Sequence, residues 1–261
     1  MQTSYSISAK YYDDAYTVKP DLVDLPFYVE LAKQICRPIL ELGCGTGRVL
    51  LPIARAGIEI HGLDNSPAML NILRERIQNE PGEVRSRIAL HQGDMRQFCG
   101  QQQYRLVTIP FRAMQHMYTL EDQVAALKTA AFHLDKNGIL AFDVFFPKFQ
   151  LMDVGIGEEM LELEWPVKAH PGRIIRRYFK KDSVDKINQV FNFTFIFRTY
   201  DNEALVNEET EAFKLSYYAY PQLKALFELA GLQSVEEYGS FSKEPLNNDA
   251  KEMIFLLRRA A

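Results

Sequence analysis

Downstream of residue 38, short apolar runs alternate with stretches in which apolar residues recur at helical spacing. Residues 39–42, Ile-Leu-Glu-Leu, predict a buried strand that ends at Gly43. Residues 47–56 then predict a helix, 58–63 a strand, 67–78 a helix, 88–91 and 104–109 two strands, 120–134 a helix and 139–146 a strand. Upstream, residues 1–37 read as a helical lead-in, tyrosine-rich over 5–16 and helically spaced over 22–36, with Pro38 as its stop. Strands alternating with helices of about 10–15 residues predict a parallel sheet with helices on both faces. Right-handed crossovers make that sheet doubly wound.

The period changes after Pro147. Phe191, Phe193, Phe195 and Phe197 alternate with Asn192, Thr194, Ile196 and Arg198, a period of two that marks a strand with one aromatic face. Residues 173–181, 189–200 and 211–218 predict an antiparallel meander with a turn at Asp201-Asn202. Helix returns over 221–230, with Pro221 in its first turn and Gly231 as its stop. Strands at 234–238 and 252–258 follow. The expected organisation is a core with an N-terminal helical arm over 1–149, a β-rich insert over 150–216, and a return to the core over 217–261.

Composition narrows the function classes. Apolar residues are 47% and charged residues 25%, so disorder, collagen and coiled coil are excluded as the main architecture. A net charge of −4 argues against a broad nucleic-acid footprint, which needs a basic face. Cys36, Cys44 and Cys99 show no CxxC spacing, so neither a disulfide framework nor a metal site is expected. No apolar run approaches the roughly 18 residues of a membrane span, and residues 1–10 are polar. The expectation is a cytoplasmic protein with no membrane partner, as a monomer or homodimer.

The chemistry concentrates in Glu41-Leu42-Gly43-Cys44-Gly45-Thr46-Gly47-Arg48, where a strand gives way to a helix. Glycines there permit positive φ and close approach of a ligand to the backbone, and a helix start presents free N–H groups. A dinucleotide fingerprint places its third glycine one residue later than this chain does. Asp64 ends the next strand, placed to accept from ribose hydroxyls, and Ser66-Pro67 caps the helix behind it. Cys44 has no neighbouring His and acid that would make it a nucleophile.

These residues resemble a class I S-adenosylmethionine-dependent methyltransferase over about 35–146 and 216–258. Glu41, Gly43, Gly45 and Gly47 match the family's E/D-x-G-x-G-x-G motif, Asp64 its second acidic position, and Asp94 in Gly93-Asp94-Met95 its third. The resemblance implies a seven-stranded Rossmann-like α/β sheet with the insert as an antiparallel lid, and S-adenosyl-L-methionine as cofactor. It implies that Asp94 holds the adenine amino group, with Met95 on or beside the ring. The cofactor contacts expected on this basis are Tyr11, Glu41, Gly43, Cys44, Gly45, Gly47, Asp64, Asn65, Met69, Asp94, Met95, Pro110 and Phe111.

Base-modifying adenine N-methyltransferases carry Asn/Asp-Pro-Pro-aromatic after strand four; Ile109-Pro110-Phe111 departs from it, so no nucleic-acid partner is expected. Phe111–Met117 and Tyr11-Tyr12-Asp13 are instead similar to the loop and arm of small-molecule N-methyltransferases acting on amino sugars. That likeness implies His116 and Tyr12 as the residues approaching the acceptor, Tyr11 being an alternative register. Arg112 and Gln115 replace that group's small residues. The Phe191–Phe197 stripe has two readings, subdomain packing or the roof of an acceptor pocket. The expected function is methyl transfer to N or O of a small molecule; the alternative is a non-catalytic binder of the same cofactor.

Overall fold

The computed structural model describes residues 5–19 and 23–260. The expectations for Met1–Ser4, and for Leu22 as the start of the second lead-in helix, lie outside the described residues. In chain order the elements are α1 (Ser8–Thr17), α2 (Asp24–Ile35), β1 (Ile39–Leu42), α3 (Leu50–Arg55), β2 (Ile60–Asp64), α4 (Pro67–Gln78) and the one-turn α5 (Gly82–Arg85). Then come β3 (Ile88–Gln92), β4 (Tyr104–Ile109), a 3-10 turn (Ala113–His116), α6 (Leu120–His133) and β5 (Leu134–Phe145). The last part holds β6 (Glu159–Pro166), β7 (Arg173–Asp185), β8 (Val190–Asp201), β9 (Ala204–Ser216), α7 (Tyr220–Leu229), β10 (Leu232–Tyr238) and β11 (Glu252–Arg259).

The chain forms two compact units. The larger, Val23–Pro147 with Tyr217–Ala261, is built on a seven-stranded sheet of order β3-β2-β1-β4-β5-β11-β10. Its strands run parallel except β11, which is antiparallel to both β5 and β10. β1 is buried along its whole length and feeds a core on each face: Leu40 and Leu42 pack with α6 and α7 residues, Ile39 with α2 and α3 residues. Local chemistry sets the helix ends. Ser66 accepts from the Met69 N–H at the start of α4, and Thr119 from the Asp122 N–H at the start of α6. The helix expected from residue 47 starts only at Leu50, because Gly47 sits at φ +84° and turns the chain first.

The smaller unit contains the described part of Met1–Leu22 with Lys148–Ser216. Its sheet is an antiparallel meander β6-β7-β8-β9, one strand more than the three expected. Asn202 and Glu203, at φ 47° and 72°, make a two-residue hairpin turn between β8 and β9. The aromatic stripe packs inward: Phe193 stacks on Phe213 with centroids 5.4 Å apart, and Phe197 stacks on Tyr11 at 4.6 Å. The arm, expected with the core, packs with the insert through its α1 residues. Glu211 of β9 accepts from the Ile7 and Ser8 N–H groups, capping the start of α1. One turn on, Glu209 receives Lys10 and the Tyr11 hydroxyl.

Candidate cofactor and active site

β1 and β4 are neighbours at the centre of the large sheet, and the chain leaves them in opposite directions, β1 toward β2 and β4 toward β5. In such sheets ligands bind beyond the carboxyl ends at this switch point. The loop after β1 lies there. Its Gly43 and Cys44 N–H groups donate to the Leu63 carbonyl at 2.7 and 3.0 Å, so β2 fixes its path. A Cβ on Gly43, at φ +79°, would stand 2.9 Å from Ala113 Cβ and 3.4 Å from Met95 Cε. The loops after β1, β3 and β4 therefore converge at Gly43. A Cβ on Gly47 would stand 2.4 Å from Leu73, whereas one on Gly45 meets nothing within 4 Å. Gly47 serves helix packing, and the side of Gly45 is open.

Carboxylates surround the glycine loop. Asp64 accepts from the Gly45 and Ser66 N–H groups, each at 2.8 Å, and each oxygen keeps lone-pair capacity for a further donor. Glu41 is buried in β1, and its Oε2 has no hydrogen-bond partner. Burial pushes its carboxyl up to about 8, opposed by the Arg48 charge and reinforced by Asp64 and Asp24. A buried, unpartnered acid oxygen in the strand that leads into the glycine loop fits a ligand that brings a cationic amine, as S-adenosylmethionine does. Asp94, the expected adenine acceptor, is held by its neighbour Arg96, which bonds it through the backbone N–H and guanidinium and also reaches Asp122 at 2.7 Å. Asn65 is exposed at the end of β2, and Met69 is buried in the first turn of α4. Cys44 is buried with its thiol pushed well up by burial and by the Asp64 and Glu41 charges, the opposite of an activated nucleophile.

The loop after β4 is tightly constrained. Pro110 is buried, and Phe111 and Arg112 both adopt left-handed backbone, at φ 56° and 63°. Their N–H groups donate to the two oxygens of Asp143 at 2.8 and 2.9 Å, and the Tyr28 hydroxyl donates to Oδ1 at 2.6 Å. Arg48 lies 4.3 Å from the centre of the Phe111 ring while its guanidinium pairs with Asp24. One face of that ring therefore already carries a cation of the protein's own. Gln115 is buried and accepts from the Phe145 N–H, and the Tyr218 hydroxyl donates to the Met114 carbonyl. His116 ends the turn with Nδ1 3.3 Å from the Tyr118 hydroxyl. Burial lowers its imidazole to about 4, so it is neutral at physiological pH and a weak base, where its ordinary value had favoured proton acceptance.

The two tyrosines expected at this site belong to the smaller unit. The ring of Tyr11 packs between Phe197 and Trp165 and its hydroxyl is bound to Glu209. Tyr12 packs one turn before Tyr16, centroids 4.4 Å apart. Conversely, sequence reading passed over Asp143, Tyr28, and the Arg48–Asp24 pair. The available signal was a single acid inside an apolar run, Asp143 in Leu140–Val144, which a buried strand tolerates only when it is partnered.

The chain is similar in sequence and in fold to known methyltransferases. Residues 39–138 match the family described as a methyltransferase domain. The chain is 24% identical over 225 residues to cypemycin N-terminal methyltransferase of a Streptomyces species, covering 85% of this chain and 83% of that one. It is 30% identical over 129 residues to the dTDP-3-amino-3,6-dideoxy-alpha-D-glucopyranose N,N-dimethyltransferase of Streptomyces fradiae, covering 49% and 48%. Four of the curated relatives are matched over less than half of their own length. The structure of S-adenosylmethionine-bound CalS10, an amino pentose methyltransferase from Micromonospora echinaspora, shares the fold with a TM-score of 0.70 and 22% identity, covering 94% and 95%.

Proposed function

We propose that this chain, a class I S-adenosylmethionine-dependent methyltransferase, methylates an amine nitrogen of a small molecule. The observation that carries the choice of nitrogen is the similarity to two proteins named as an N-terminal methyltransferase and an N,N-dimethyltransferase, and the setting of His116 fits it. An alcohol acceptor needs a base, and an imidazole lowered to about 4 is a poor one near neutral pH. An amine that arrives uncharged needs none.

When bound, S-adenosylmethionine supplies a methyl group on a positively charged sulfur, open to in-line displacement by the acceptor lone pair. The protein's part is positioning and charge. Asp64 is assigned to the ribose hydroxyls and Glu41 to the cationic amine of the methionine half. Met95 and Pro110–Phe111 are assigned to flank the adenosine and methyl ends, and His116 to orient the acceptor as a neutral hydrogen-bonding group. Tyr12 is kept as an acceptor-side candidate on its resemblance alone, and acceptor choice is assigned to the insert over 150–216.

Calorimetric titration with S-adenosylhomocysteine and NAD, followed by incubation with labelled S-adenosylmethionine and a panel of amines and alcohols, tests the proposal. The expected result is binding of S-adenosylhomocysteine but not NAD, with label transferred to nitrogen. Label on oxygen would refute the choice of acceptor atom, and binding without turnover on any acceptor would favour a non-catalytic binder.

A further inference from the structure

We propose that Asp143 is a positioning residue for methyl transfer: its carboxylate holds Phe111 and Arg112 in the paired left-handed conformation that aims the loop through His116 at the reacting groups. The inference rests on the functional reading above for its consequence, though not for its geometry. Two successive non-glycine residues at positive φ are strained, and outside a β-hairpin turn such as Asn202-Glu203 the pair persists only when something over-determines it. Here their two N–H groups point the same way and form a cradle for an anion. β5 supplies that anion. Ile109 of β4 pairs with Phe142, so Asp143 stands one position further along, level with the start of the loop. Both carboxylate oxygens are used, Oδ1 by Phe111 and Tyr28 and Oδ2 by Arg112. A neutral side chain of the same size lacks that match. An amide in this place turns an NH2 donor toward one of the two N–H groups.

The surrounding groups make the restraint sensitive to protons. Tyr28 and Asp24 face Asp143 from α2, Glu252 from β11, and Arg112 from the loop itself. Burial, with Glu252 and Asp24, raises the carboxyl to about 7 against the Tyr28 hydrogen bond and the Arg112 charge. Above that pH both oxygens accept; below it one oxygen carries a proton and the cradle faces a donor.

Amide exchange measured by NMR on the labelled full chain reads the restraint without any cofactor or acceptor. Protection of the Phe111 and Arg112 amides, referenced to Val107 in β4, is expected to fall by about tenfold as pH drops through 7, the loss of one charge-assisted bond. Asp143→Asn is expected to show the low protection at every pH, with kcat reduced more than acceptor KM. Tyr28→Phe, which removes one donor and leaves the cradle, is expected to retain most of the protection. Flat wild-type protection across this range, or wild-type protection and kcat in folded Asp143→Asn, would overturn the proposal; if that variant does not fold, the wild-type titration decides. Failure of the wild type to bind S-adenosylhomocysteine would instead count against the functional reading, with exchange still judging the restraint.

Discussion

Glu41→Gln should separate the stability of the protein from its capacity to bind cofactor, in opposite directions. The carboxyl of Glu41 is raised from the ordinary 4.5 to about 8, with burial as the largest cause. The folded chain therefore holds a proton there at neutral pH that the unfolded chain has released. For a group raised on folding, the stabilising contribution is full below the unfolded value and is lost as pH rises through the folded value. Each tenfold difference in proton affinity is about 1.4 kcal/mol. Between pH 5 and pH 8 the wild type should thus lose about 3–4 kcal/mol of folding stability through this one group. The amide introduced by Glu41→Gln does not titrate, so the variant lacks that loss. Thermal unfolding of the cofactor-free protein should find the two chains similar near pH 5 and the variant more stable near pH 8. Cofactor binding should show the reverse. A cationic amine beside Oε2 favours the ionised acid, so the wild type should release close to one proton on binding near pH 7. That release is measured by titration calorimetry in buffers of different ionisation enthalpy. Glu41→Gln should bind at least tenfold more weakly and release less. A stability gap independent of pH, together with undiminished proton release in the variant, would refute the reasoning.

Asp64→Ala removes the acceptor of the Gly45 and Ser66 N–H groups as well as the assigned ribose contact, and should weaken S-adenosylhomocysteine by tenfold or more in calorimetry, charge-assisted bonds contributing about 1.5–3 kcal/mol each. Gly47→Ala forces a Cβ to within 2.4 Å of Leu73 at φ +84° and should lower the unfolding temperature measurably, whereas Gly57→Ala, at φ +90° with open space, should show the backbone cost alone. His116→Ala and Tyr12→Phe should reduce turnover in a labelled-methyl assay while leaving S-adenosylhomocysteine affinity nearly unchanged. The wild-type rate should show no limb from His116 between about pH 5.5 and 8, since that imidazole is neutral throughout.

The alternation of strands and helices, the glycine loop and Asp64 were legible because each is a local signal: a period, a spacing, a cap. The aromatic stripe of β8 was legible as a strand, and its inward packing was one of two open readings. β6 was missed although Leu161, Leu163 and Trp165 alternate with Glu162 and Glu164; it is an edge strand in which Leu163 and Trp165 alone are buried. Residues joined across long separations were not legible. Tyr11 meets Glu209, 198 positions away, and the carboxylate that shapes the loop after β4 lies 32 residues beyond Phe111. The titration of His116 was likewise hidden, since burial by neighbours, not its own place in the chain, sets its proton affinity.

The capping of α1 by Glu211 has a consequence during synthesis. Ser8 and its acceptor are 203 positions apart. At about 5–20 residues per second a ribosome takes on the order of 10–40 s to make that stretch. A ten-residue helix does not hold itself together in water for lack of length. The segment over residues 5–19 therefore leaves the exit tunnel well before the strand that caps it and waits, unfolded, until that strand is made. Nascent chains stalled before β9 should lose this segment to protease, and chains released after it should keep it.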